Sequence, residues 1–359
     1  MIKSYHKHLL KNYLDALLQV SIIFFSLIFI LNIFEEVSFF RETSSGFTYP
    51  LFITLLNTPS VFFEISPFIF FISTQIFFIN LLNKNEINNY KYYGFTNFKL
   101  ISLIASYSLV VGVIFIVFFY NFSAQLKFLY LDFKNDFTED DKYLAVVTDN
   151  GLWIKDEIDD YINIINADKI ENDKLINVSI VQFDKNFNFI RSIDTKKADI
   201  KNFDWIISNA NITSLEKTNI KDENIIFKTN YSLKRINELY SDLTSLTLWD
   251  LQKLKNDYRK LGYSTLEVEI HQQKIYSYFI YFSIMTVLSS IIILNVGYNK
   301  NKIFHIILGI LLSVLIYYMD FFLKTLGENQ KIPYLIAVWF PIIILMLISS
   351  IGLVRINEK

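Results

Sequence analysis

The stretch Leu100–Leu126, LISLIASYSLVVGVIFIVFFYNFSAQL, decides the fold class. No charged residue falls between Lys99 and Lys127. A helix needs about 20 such residues to cross a hydrocarbon core of about 30 Å. Working outward, five more charge-poor runs have this character: Ala16–Phe34, Ile65–Asn83, Ile275–Asn299, Ile303–Met319 and Ile332–Val354. The fifth of the six is short before Asp320, but Phe321, Phe322 and Leu323 prolong it. The chain therefore reads as three spans, an insertion, and three more spans. A further charge-free run, Thr43–Phe63, holds Pro50, Asn57, Thr58, Pro59 and Ser60 and reads as loop, with a short interfacial helix over Tyr49–Leu56. The first run is not a cleaved signal peptide, because it is too long and Glu35 and Glu36 follow it in place of a small-residue cleavage site.

Composition agrees. Of 359 residues 52% are hydrophobic, mean hydropathy is +0.33, and there are 35 Phe and 22 Tyr against 9 Gly and 5 Pro. Disordered and collagen-like chains are excluded. The absence of Cys excludes disulfides, cysteine-bound zinc, iron–sulfur clusters and thiol nucleophiles. A net charge of −1 gives no field to attract nucleic acid.

Orientation follows from where Lys and Arg fall in the short loops. Lys3, Lys7 and Lys11, then Lys84, Lys91 and Lys99, then Lys300 and Lys302, then Arg355 and Lys359 lie on one side. Only Arg41, Lys324 and Lys331 lie in the short loops of the other side. Both termini are thus expected in the cytoplasm and the insertion outside. The segment Ser4–Leu14 reads as an amphipathic helix lying on the inner leaflet. The domains expected are 1–126 (spans one to three, with a cytoplasmic helix at 85–99), 127–246 (all-β), 247–274 (connecting helix) and 275–359 (spans four to six).

Inside the insertion the period changes to alternation. Tyr143–Val147, the turn Thr148–Gly151 and Leu152–Lys155 read as a hairpin on its Asn150-Gly151 pair. Tyr161–Asn166, Leu175–Phe183, Phe187–Ile193, Trp205–Ile212 and Asn224–Thr229 are further strands, giving a sandwich, barrel or jelly roll. From Thr247, which with Asp250 resembles a capping box, the period is helical again.

The chain has no phosphate-binding loop, no nucleophile elbow and no zinc-protease motif. His6 and His8 read as basic residues of a cytoplasmic tail. Ionisable residues at membrane depth say more. Asp320 lies near the outer end of span five with Lys324 four residues on, a spacing that suits a pair on one helix face. Glu64 stands at the outer start of span two. The loop Asn85–Lys99, NEINNYKYYGFTNFK, is longer than a link requires and offers Glu86, Tyr90, Lys91 and Tyr93 to the cytoplasm, with a break at Gly94.

Four stretches, in this order and topology, resemble the LptF/LptG permeases of the lipopolysaccharide-export ABC transporter. They are Thr58-Pro59-Ser60 with Phe63–Pro67, Asn85-Glu86 through Lys91 to Gly94, Gly151–Asp156 (GLWIKD), and Ile332-Pro333 with Ala337–Pro341. The Pro59/Glu64/Pro67 and Ala337–Pro341 patterns lean toward LptG. The resemblance implies a six-span (3+3) membrane α-helical protein with an inserted all-β, jellyroll-like periplasmic domain in the bacterial inner membrane. It implies a permease subunit, not an enzyme, that extracts lipopolysaccharide or a related glycolipid and passes it to a periplasmic bridge. Its partners would be an LptB-like ATPase dimer, an LptF-like paralogue and an LptC-like bitopic jellyroll protein. The chain itself would bind no cofactor and no metal; ATP and magnesium belong to the ATPase.

On the same resemblance Glu86, Tyr90, Lys91 and Gly94 couple to the ATPase. Asn32, Glu35, Arg41, Glu64, Asp320 and Lys324 would line the substrate mouth, and Gly151, Leu152 and Trp153 mark the periplasmic hairpin. The chain departs from the family pattern near the outer end of span one, where Asn32, Glu35 and Glu36 stand in place of basic residues, and at Tyr92-Tyr93, where small residues are usual. The alternatives are an LptF-type subunit of the same complex, a non-translocating ABC-linked membrane subunit, or a sensor with an external ligand-binding β domain.

Overall fold

The computed structural model describes residues 4–42, 48–135, 152–158, 161–171, 174–214, 220–233, 236, 242–261, 264–296 and 302–357. The chain divides into two compact units, 1–127 with 266–359, and 128–265.

The first unit is helical. Its elements are α1 (Ser4–Phe39), a 3-10 turn (Phe40–Glu42), α2 (Thr48–Asn83), α3 (Glu86–Tyr92), α4 (Asn97–Ile114) running through a π-helical stretch (Phe115–Tyr120) into α5 (Asn121–Asn135), which belongs to this unit up to Lys127, and, after the insertion, α7 (Leu266–Val296), α8 (Lys302–Glu328) and α9 (Tyr334–Asn357). Among the described residues, six helices are long and apolar enough to cross a membrane. α2 and α7 form the centre, with 72% and 67% of their most apolar windows buried. α1 and α8 bury only 11% and 17% of theirs. Their outward Leu, Ile and Phe residues, such as Leu18, Ile23, Leu311 and Leu315, suit a hydrocarbon solvent.

Two expectations are corrected here. The run Thr43–Phe63 does not read out as loop: from Thr48 it is the first half of α2, continuous through Pro59 and Pro67. Pro50 lies in the first turn, where a missing N–H costs nothing. Pro67 removes the donor that Phe63 C=O would use, and the Ser66 hydroxyl replaces it at 2.6 Å. Thr54 and Thr58 donate to Pro50 O and Thr54 O, both at 2.7 Å. At Pro67 a side-chain hydroxyl thus keeps the backbone satisfied within the helix, which is how a membrane span tolerates a proline, and the Thr54 and Thr58 hydroxyls find their own acceptors on the preceding turn. The second correction concerns Ser4–Leu14. It is not a separate helix on the leaflet but the first turns of α1. Leu9 and Tyr13 are fully buried, in one cluster with Ile87, Phe95, Leu100 and Ile104.

Tyr13 also enters a hydroxyl chain at the bundle centre. Its phenol lies 3.4 Å from Thr286 Oγ1, as does Thr74 Oγ1, and Thr286 donates to Ser108 at 2.9 Å. This joins α1, α2, α4 and α7 through groups that would otherwise be unsatisfied in an apolar interior.

Among the described residues the second unit carries a seven-stranded antiparallel sheet: β1 (Leu152–Ile158), β2 (Tyr161–Ala167), β3 (Lys169–Glu171), β4 (Lys174–Asp184), β5 (Phe189–Asp199), β6 (Asp204–Ser214) and β7 (Ile220–Lys228). The order is β1-β2-β4-β5-β6-β7, with β3 on β4. The expected all-β insertion is therefore present. Among the described residues the paired strands follow one another in space in sequence order, except that β2 pairs with β4 and the short β3 pairs with β4 alone. The first arm of the expected hairpin, Tyr143–Val147, and its turn through Gly151 lie outside the described residues; the second arm is β1.

Strand β5 extends six residues beyond the Ile193 where it was expected to end, through Asp194–Asp199. Its charged residues face outward while Ile193, Thr195 and Ala198 face in. The step from Thr195 to Ala198 is three residues, not two. The same step separates Leu175 from Val178 on β4 and Ile207 from Ala210 on β6, all buried. Asn177 and Asn209, at φ 51° and 53°, lie at these breaks. The pairing register is the same on both sides, with Ile176 opposite Lys197 and Val178 opposite Thr195. A left-handed residue in β4 and another in β6, on either side of the Thr195–Ala198 step of β5, crease the sheet while keeping one face apolar.

The unit closes with α6 (Leu248–Leu261), whose start is capped by the residues of the expected capping box: Asp250 N donates to Thr247 Oγ1 at 3.3 Å, and the carboxylate accepts from the Thr247 hydroxyl at 2.5 Å where a full box would use the Thr247 backbone N–H. Leu251 and Leu254 form its buried face.

Candidate functional site

The link between spans two and three is built by helix-capping chemistry. α3 begins after Asn85, which has φ 54°, and ends at Tyr93. Gly94 N donates to Lys91 O and Phe95 N to Tyr90 O, both at 3.0 Å. This pair of bonds is a Schellman motif, and it requires a left-handed residue at the position Gly94 occupies with φ 80°. The apolar contact that accompanies the motif is present between Tyr90 and Phe95, ring centroids 5.6 Å apart. Thr96 then caps α4 by accepting from Lys99 N at 3.1 Å. The helix expected across 85–99 is therefore two elements with a tight reversal between them.

Ile87 and Phe95 anchor this link in the core, while Lys91 and Gly94 are exposed and Tyr92 and Tyr93 stand 88% and 83% open. Burial, and then the charge of Glu86, raise the Tyr90 phenol above its ordinary value, so it remains a neutral donor. Glu86 is not loose: its Oε2 meets His8 Nε2 at 2.9 Å. His8, read in the sequence as part of a basic tail, is thus a site residue that sequence reasoning missed. A separation of 78 residues left no local pattern to find it by.

At the other group of candidate residues, two tyrosines of α7 organise the contacts. Tyr278 donates to the backbone carbonyl of Glu64 at 3.1 Å, and Tyr281 donates to Asp320 Oδ2 at 2.6 Å. The two rings are 6.1 Å apart. Glu64 on α2 and Asp320 on α8 are thereby joined through α7. The i,i+4 pair expected between Asp320 and Lys324 is not formed; Lys324 pairs instead with Glu328 at 3.4 Å. Asp320 faces the bundle, half-buried against α7, whereas Lys324 reaches toward the end of α8. Asn32 is half-buried on α1, and Glu35 and Arg41 are exposed. Among the described residues no hydrogen bond or ion pair connects these three to the Tyr278–Tyr281 group. The acid that α1 buries is Glu36, at 1% exposure, one position from the one expected.

In the β unit, Leu152 is buried and Trp153 is half exposed on β1; Gly151 lies outside the described residues. The acid that ends the GLWIKD stretch has a clear structural task. Asp156 is 1% exposed and accepts from Thr229 Oγ1 at 2.7 Å, Asn230 Nδ2 at 2.9 Å and Asn230 N at 3.1 Å. It ties the segment after β7 to β1. Close by, the Trp205 indole, fully buried, donates to Tyr231 O at 2.7 Å.

These features can be set beside known proteins. No curated protein matches the chain. The family model described as lipopolysaccharide export system permease LptF/LptG matches residues 7–355, which takes in all six spans, α3 and the inserted sheet. With nearly the whole length matched, the chain is a multi-pass inner-membrane transport protein that belongs to the LptF/LptG family of permeases.

Proposed function

We propose that this permease extracts lipopolysaccharide or a related glycolipid from the inner membrane and hands it to a periplasmic bridge toward the outer membrane. The observation that carries the reading is the family match over residues 7–355 together with a capped, outward-facing α3 between spans two and three. In this reading both termini and α3 face the cytoplasm, and the β unit lies in the periplasm. An LptB-like ATPase dimer docks on Glu86, Tyr90, Lys91 and Gly94, and supplies the ATP and magnesium chemistry. An LptF-like paralogue faces it across the lipid cavity, this chain taking the LptG-type place on its Pro59/Glu64/Pro67 and Ala337–Pro341 patterns.

Mechanically, α3 is suited to transmit force. Its buried Ile87 shares one cluster with Leu81, Leu100 and Leu9, so a displacement of α3 moves the ends of α1, α2 and α4 together. The substrate mouth would be lined by Asn32, Glu35, Arg41, Glu64, Asp320 and Lys324. Asp320, bonded to Tyr281 of α7, acts by fixing two helices; Lys324 is paired with Glu328 on its own helix, and the exposed Arg41 is a cation offered to a lipid phosphate. Gly151, Leu152 and Trp153 would mark the hairpin of the β unit that meets an LptC-like bitopic protein.

Purification of the tagged chain in mild detergent, with mass spectrometry of what accompanies it, tests this. Recovery of a small P-loop ATPase, a second six-span chain and a phosphorylated glycolipid is expected. Recovery as a homodimer with no ATPase would move the function to a sensor or scaffold.

A further inference from the structure

We propose that His8 is a positioning residue for Glu86, and that the first turns of α1 belong to the ATPase-docking unit. The proposal rests on the reading of Glu86 as a docking residue. His8 Nε2 lies 2.9 Å from Glu86 Oε2. A carboxylate only accepts, so Nε2 carries the proton and donates to it; that nitrogen then has no lone pair for the Asn12 amide Nδ2, 3.0 Å away, and the Glu86 bond alone carries the argument. The contact is on the exposed side of the bundle, with the His8 side chain 49% open and that of Glu86 20%.

Glu86 needs such a partner. It is the first residue of α3, and Asn85 before it makes no side-chain cap. A long, flexible side chain at a helix start is free to adopt many rotamers, and ordering it on docking costs binding energy. The His8 bond holds Oε2 in one place and leaves Oε1, without a partner among the described residues, for a donor on the ATPase.

His8 is itself held firmly. Leu9 and Tyr13, one residue and about a turn further on, are fully buried. On the preceding turn the Tyr107 hydroxyl lies 2.7 Å from His6 Nδ1, and the Tyr5 ring packs edge-on against Phe95 at 4.9 Å. The first turns of α1 therefore grip α3 at both of its ends, Glu86 at the start and Phe95 beyond the stop. A rigid second helix behind a docking carboxylate is what pre-organisation requires. No step of the docking chemistry is assigned to His8; it acts through Glu86.

The test is a double-mutant cycle on the full-length tagged chain purified from its own cells. The readout is the amount of co-purified P-loop ATPase per permease, by quantitative mass spectrometry, with the thermal midpoint of each variant measured alongside. Glu86→Ala is expected to lose most of the ATPase. His8→Ala should lose about three- to tenfold, the worth of one partly exposed charge-assisted hydrogen bond. The double variant should be no worse than Glu86→Ala alone. His8→Gln, which can place an amide N–H near the same point, should restore recovery to within about twofold of wild type at an unchanged midpoint. Loss with Glu86→Ala but full recovery with His8→Ala, or strictly additive losses, overturns the positioning role and leaves the docking reading standing. Equal recovery with wild type and Glu86→Ala overturns the docking reading itself. If His8→Ala lowers the midpoint as well, failure of His8→Gln to rescue ATPase recovery while restoring the midpoint also overturns the positioning role.

Discussion

The Tyr281 phenol donates to Asp320 Oδ2 at 2.6 Å, so the acid of the fifth span is held by a residue of the fourth and not by the lysine on its own helix. In an apolar solvent the nearest buried donor takes precedence over a flexible cation that can reach water. Tyr281→Phe should therefore leave the carboxylate without its donor and destabilise the bundle by about 1–3 kcal/mol. Thermal unfolding in detergent measures this. Combining it with Asp320→Ala should cost less than the sum of the two single changes, and simple additivity would contradict a direct bond.

Ser66→Ala should cost about 1 kcal/mol, because it removes the hydroxyl that satisfies Phe63 C=O where Pro67 cannot. Pro67→Ala restores a backbone donor at that site. In its presence Ser66→Ala should be nearly silent. A cycle of the two variants read by thermal midpoint decides the point, and an unchanged Ser66→Ala cost would refute it.

Gly112 on α4 faces Phe282 of α7. A Cβ there would stand 2.5 Å from Phe282 Cδ2, in a ring already stacked on Phe70 at 4.3 Å. Gly112→Ala should cost about 1–3 kcal/mol through overpacking. Gly94→Ala meets nothing within 4 Å and should cost about 1 kcal/mol for its positive φ alone. Hydrogen exchange should rise at Gly94 and Phe95, whose amides close the Schellman motif, while the spans keep their protection.

Asp156 accepts three hydrogen bonds at 1% exposure, so Asp156→Ala should cost the β unit about 2–4 kcal/mol. Thr229→Val removes one of them and should cost less. Protease sensitivity between β7 and α6, compared across the two variants, checks the order; equal sensitivity would be inconsistent with Asp156 as the tie.

The helical spans were legible in the sequence because a charge-free run of about 20 residues has one low-energy state in a bilayer. The strands were legible wherever one face alternated, and β5 was shortened in the reading because its outward residues Lys196 and Lys197 hide a short inward set. The capping box at Thr247 and the stop at Gly94 are local chemistry, written in a few adjacent residues. By itself, then, the sequence determined the six spans, the β insertion and the family resemblance. What only the tertiary structure decided were matters of partner. Pro67 sits inside a helix with the Ser66 hydroxyl serving the carbonyl it leaves free, and Pro59 is buried within the same helix. The crease at Asn177 and Asn209 depends on the alignment of separate strands. His8 meets Glu86, and Tyr281 meets Asp320, across 78 and 39 residues. Hydrophobic periodicity reports which solvent a residue faces, whereas a hydrogen bond between distant residues depends on how the helices are packed, and no local pattern encodes that.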